Sequence, residues 1–200
     1  MKVKFREDAT HLKGVEKMEA QVQRYFDDLE APGRETQFEA YKNLLNVTKE
    51  EVDWAYEVWD KLVQDLKNRD NHSRSRAAQF LSYLAISDPE KRMLNDFYSL
   101  WEVTRDSKFV TARHRLQSIW RVGLAGHEQQ ELLMNHFTDR FRTCIEEKNY
   151  TLIRYDIIQG LRNLYDETKK VDIKQISLEL IATEVDSKYQ KKYVTVWRNT

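Results

Sequence analysis

Cysteine is all but missing from this chain: Cys144 stands alone. No internal disulfide is possible, and a reducing compartment is the expectation. Five glycines and two prolines in 200 residues are too few for the many turns of a sheet protein and suit long helices instead. Net charge is absent too. Thirty-three basic residues cancel thirty-three acidic ones, so no global field draws the protein to nucleic acid or to a membrane. The opening MKVKFREDATHLKGVEK has no apolar stretch long enough for a signal peptide, and nothing downstream is long enough to span a bilayer. A cytoplasmic location is expected.

What the chain does have is a period. Arg76, Arg115 and Arg154 stand thirty-nine residues apart, and their surroundings repeat with them. One column holds Phe38, Ala77, Leu116, Tyr155 and Val194, and another Tyr41, Phe80, Ile119, Ile158 and Trp197. A third contains Leu44, Tyr83, Val122 and Leu161, and a fourth Val47, Ile86, Ala125 and Leu164. All four columns read as buried positions. A period of this length is the signature of stacked supersecondary units, none of which can bury its apolar face alone. The arginine column reads Gln37 and Tyr193 in the end repeats, where atypical units are expected.

Caps and breakers divide the chain into five helix pairs. Thr48 with Glu51 and Asp172 with Gln175 have capping-box spacing. Ser87-Asp88-Pro89 ends one helix and opens the next, and Gly126 falls at the matching break. Outer helices are expected near 10–30, 49–69, 89–104, 127–147 and 172–185, and inner helices near 35–47, 73–87, 107–125, 150–165 and 187–199. The fold class is all-α, an α-α superhelix of about five antiparallel helix pairs. Residues 1–47 form an N-terminal capping pair, 48–165 three regular repeats and 166–200 a C-terminal capping pair.

A period near forty, two helices per unit and an arginine early in the second helix make residues 35–197 resemble the HEAT and armadillo class. The resemblance implies a scaffold with a binding surface on its inner helices. It also implies that the arginine pairs with an aspartate in the preceding turn, which would join Asp70 to Arg76 and Asp106 to Arg115. Only Glu146 and Glu147 are near the matching turn before Arg154.

Two basic rows compete as binding residues. Arg76, Arg115 and Arg154 lie at the margin of the apolar face, where an aliphatic stem packs while the guanidinium reaches a carboxylate or a helix-end carbonyl. A structural ladder is the favoured reading for them. Segments 71–87, 107–126 and 149–164 carry net charges of +2, +4 and +1, against −3 for 49–70. The inner helices are thus basic, and Arg74, Arg113, Trp120, Arg121 and Arg162 are the candidate binding row. Trp120 is expected two turns beyond Arg113 on the same stripe. Arg162 is an anomaly in its column, which otherwise holds Leu45, Leu84 and Gly123.

Catalytic and metal motifs give little. His127-Glu128-Gln129-Gln130-Glu131 lacks the second histidine of the zinc-protease helix, and no Glu-x-x-His pair occurs. There is no G-x-S-x-G and no phosphate-cradling or dinucleotide glycine loop. Cys144 reads as a core position with a raised thiol pKa, and His114 and His136 as locally satisfied. No cofactor, metal or catalytic residue is assigned. The expected function is a non-catalytic scaffold for a protein or peptide partner. The alternative is nucleic-acid binding by analogy with the HEAT-like alkylpurine DNA glycosylases, for which Trp120, Arg113 and Asp156 are the nearest candidates. Tyr189, Tyr193 and Trp197 leave the last repeat either with an oligomer contact or as a cap folded on its neighbour.

Overall fold

The computed structural model describes residues 18–198. Among them the chain is all-α, with ten helices and no strand. The helices are α1 Ala20–Asp28, α2 Arg34–Val47, α3 Ala55–Asp65, α4 Asn71–Leu84 and α5 Arg92–Glu102, followed by α6 Phe109–Leu116, α7 His127–Thr143, α8 Tyr150–Thr168, α9 Val171–Ala182 and α10 Ser187–Val194. The part of the first expected helix before residue 18 lies outside the described residues. No helix among the described residues is long and apolar enough to cross a membrane.

Helices two apart in the chain touch in succession. α2 meets α4, α4 meets α6, α6 meets α8 and α8 meets α10, while α3, α5, α7 and α9 make a parallel series of contacts. Between the two series, α1 lies on α2, α3 on α4, α7 on α8, and α9 on both α8 and α10. The apolar columns explain this. Phe80, Ile119, Ile158 and Trp197 are buried, as are Leu44, Val122 and Leu161. Each fully buried residue of this size contributes about 1.5–3 kcal/mol. The odd-numbered helices bury Trp59, Leu62, Phe97, Leu100 and Trp101, and the Trp59 indole donates to Asp96 Oδ2 on α5 at 2.8 Å. Phe38 and Val194, in the end pairs, are exposed, and Tyr83, Ile86, Ala125 and Tyr155 are half-buried.

Helix starts depart from the capping boxes. Thr48 sits at the C-cap of α2 and its hydroxyl donates back to the Leu44 carbonyl at 2.7 Å, so it does not open the next helix. Asp172 lies within the first turn of α9, and Gln175 bonds to Glu179 instead. Asp88 does organise the start of α5: its carboxylate accepts from the Arg92 and Met93 amides at 2.9 and 2.7 Å. Pro89 is in the turn before that helix and is not its first residue. True side-chain N-caps are Asp70, accepting from the Ser73 amide of α4, and Asp186, accepting from Lys188 of α10.

The third inner helix is the largest departure. One helix over 107–125 is expected, but α6 stops at Leu116 and a 3-10 segment, Ile119–Leu124, replaces the rest. Ser118 marks the break: its amide turns to the Arg115 carbonyl, and its hydroxyl donates to the His114 and Arg115 carbonyls at 3.0 and 3.1 Å. Such back-bonding offers the backbone an alternative to the α-ladder. Beyond it Gly123 packs so closely that a Cβ would lie 2.9 and 3.0 Å from the Leu164 methyls and 3.1 Å from a Leu133 methyl. Gly123→Ala should therefore lower the unfolding free energy by about 1–3 kcal/mol through overpacking, read as a lower urea midpoint at unchanged m-value.

Candidate binding surface

The arginine ladder acts in the seams between helices. Arg76 Nη1 donates to the Leu29 carbonyl at the end of α1 at 2.9 Å. Arg115, 0% exposed, reaches across to α4, where it donates to the Ala78 carbonyl, to Ser82 Oγ at 2.7 Å and to the Ser75 carbonyl at 3.3 Å. Burial pushes its pKa down to about 9, so it remains charged at neutral pH without a carboxylate beside it. Arg154 donates to the Phe141 carbonyl at 2.9 Å and pairs with the buried Glu184 at 2.8 Å. The atypical end members do the same work: Gln37 donates to the Ala31 carbonyl and Tyr193 to that of Thr151. The aspartate pairings implied by the HEAT resemblance do not form. Asp70 is spent capping α4, and Asp106 is taken by Arg74.

The candidate binding row is also engaged internally. Arg74 Nε donates to Asp106 at 2.6 Å and its Nη1 to the Asn68 and Arg69 carbonyls. Arg113 grips Asp156 of α8 through Nε at 2.8 Å and Nη2 at 3.3 Å, with Gln117 adding a third hydrogen bond to that carboxylate. Arg121 is buried, lies 4.1 Å from the Tyr83 ring centre and donates to the Lys49 carbonyl. Arg162 holds Asp166 at 2.7 Å, donates to the Val196 carbonyl and sits 5.4 Å from the Trp197 ring, which accounts for its anomalous column. Trp120 does not share a helical stripe with Arg113, because α6 ends between them; it is half-buried against the core.

The remaining sequence candidates are placed as follows. Cys144 is buried in a 3-10 turn after α7, and burial pushes its thiol pKa up. The next residue, Ile145, is exposed. His136 bonds to the Leu132 carbonyl and sits edge-on to Phe97 and Trp101. Glu128 pairs with Lys91. The last helices fold on their neighbour α8 and on each other: Tyr193 is buried, Tyr189 meets Tyr150 of α8 edge-on, and the Trp197 indole donates to Ser177 of α9 at 2.9 Å.

Two recesses were not read from the sequence. One is a groove of about 730 Å³ across α2, α4 and α6, whose lining includes Arg34, Phe38, His72, Arg76, Val110 and His114. Phe38 and Val110 are 56% and 67% exposed there. Val110 did carry a signal, since its column holds Asn71 and Asn149 and so is no core column. The other is a cavity of about 290 Å³ where α6 and α8 begin, lined in part by Arg105, Arg113, Arg140 and Asp156. No protein-family model matches the chain, and no curated protein matches it.

The Arg74–Asp106 tie makes stability depend on acid. Burial alone would raise the Asp106 carboxyl, but the Arg74 hydrogen bond, the Lys108 amide and the charges of both residues outweigh it and hold the pKa below its usual range. A folded-state value below the unfolded one gives stability that is complete above the ordinary carboxylate range and is lost as pH falls through the folded value. Asp106→Asn should cost on the order of 2 kcal/mol at neutral pH. The gap from the unaltered protein should close as pH falls from about 5 towards about 2, measured by urea unfolding.

Proposed function

We propose that the chain is a non-catalytic HEAT-like scaffold. Its helix pairs stack into an α-α superhelix that binds an extended protein segment along α2, α4 and α6. The two successive series of helix contacts support the architecture. The observation that carries the ligand class is where the positive charge goes. Arg74, Arg113 and Arg162 each hold an aspartate, and Arg121 lies buried on a tyrosine ring, so the row offers little free charge to a phosphate backbone. The groove instead combines exposed Phe38 and Val110 with Arg34 and Arg76, opposed among the described residues only by Asp70, itself occupied as a helix cap. That combination suits a peptide with an apolar anchor flanked by acidic residues.

Panning a displayed library of disordered peptides against the protein should enrich acidic segments containing an aliphatic or aromatic anchor. The double variant Phe38→Asp with Val110→Asp should weaken an enriched peptide by at least roughly tenfold, or about 1.4 kcal/mol, while helical circular dichroism is unchanged. Enrichment of basic peptides, or binding indifferent to the double variant, overturns the reading. Salt-sensitive binding of labelled duplex DNA that fails in Arg113→Glu would replace it with the nucleic-acid alternative.

A further inference from the structure

The cavity at the starts of α6 and α8 is separate from the groove and has a different chemistry. It collects residues from four places: Thr104 and Arg105 after α5, Arg113 on α6, Arg140 near the end of α7, and Lys148 before α8. Its three acids are already held. Asp106 accepts from Arg74 and the Lys108 amide, Glu147 accepts two bonds from Arg140 at 2.6 and 2.7 Å, and Asp156 accepts from Arg113 and Gln117. Arg105 and Lys148 are exposed at its edge and add positive charge beyond what those acids balance.

Three further features bear on what the cavity would hold. Helices α6 and α8 both begin at the cavity, and neither start has a side-chain N-cap, so the positive ends of two helix dipoles meet there. Thr104 and Arg140, each only 3% exposed, have polar atoms with no hydrogen-bond partner, Thr104 Oγ1 and Arg140 Nε. Buried polar atoms are rarely left so, and Arg140 Nε, a donor, calls for an acceptor. The charge of Arg105 also presses on Arg140, adding to burial in lowering that guanidinium's pKa. An anion between them relieves that repulsion.

We infer that this cavity binds a small molecule through an oxyanion group, a phosphate or a carboxylate, held by Arg105, Lys148 and the starts of α6 and α8. Its volume of about 290 Å³ is at the lower end of the range for small-molecule sites.

Inorganic phosphate and citrate, titrated at constant ionic strength with chloride as the reference, test this by calorimetry and by amide chemical shifts. Phosphate or citrate should bind more tightly than chloride and shift the amides of residues 107–110 and 149–151. The better of the two identifies the group. Arg105→Glu and Lys148→Glu, both at exposed positions, should each weaken binding at least roughly tenfold, the loss expected for a charge-assisted hydrogen bond. No binding above chloride overturns the assignment. So does binding that survives both variants, or shifts confined to other residues.

Discussion

In a stack of helix pairs, the seam between neighbours offers main-chain carbonyls, so a side chain that enters it polar end first has to be a donor. A helical carbonyl already bonded along its own helix keeps a second lone pair, and the carbonyls near a helix end are free altogether. The column of Gln37, Arg76, Arg115, Arg154 and Tyr193 meets that requirement at every position, whatever the residue type. Arginine takes the three middle places because its guanidinium has five donors on a long apolar stem. Arg115 makes three such bonds, to the Ser75 and Ala78 carbonyls and the Ser82 hydroxyl, from within the core.

A second set of ties joins one helix pair to the next. Arg74 and Arg113 reach forward to acids of the following pair, and Asp106 and Asp156 have no charge left to offer. Counting charges along single helices therefore overstates how basic the surface is. Each of these two arginines is neutralised by the aspartate it holds. What stays open for a ligand is found where repeats end or where helix starts converge, and a column analysis is poorest at those places.

The period was a reliable guide because it records burial, and burial is what stacking demands of Phe80, Ile119, Ile158 and their equivalents. Local signals served less well. Thr48 and Asp172 have the spacing of capping boxes, yet a hydroxyl bonded backwards to Leu44 closes one helix, and Asp172 lies inside another. The break after Leu116 turns on one serine hydroxyl competing for carbonyls, and serines elsewhere in these helices do so without harm: Ser82 bonds back to Ala78 inside an unbroken α4. Pairing of the candidate arginines was illegible for a different reason. Which carboxylate each one meets depends on the rotation of neighbouring helices, and residue spacing does not encode that.

The truncated α6 has a consequence for how such a chain can change over time. Repeat arrays usually lengthen or shorten by copying or losing a whole unit, which works when every junction is equivalent. Here the junctions are individual. Arg76 is answered by the end of α1, Arg115 by the middle of α4, and Arg154 by the buried Glu184 after α9, while Gly123 exists to admit Leu164 and Leu133. The three arginines thus meet three different kinds of partner, and these junctions are not interchangeable. The period is regular in the sequence, and the contacts it spaces are not.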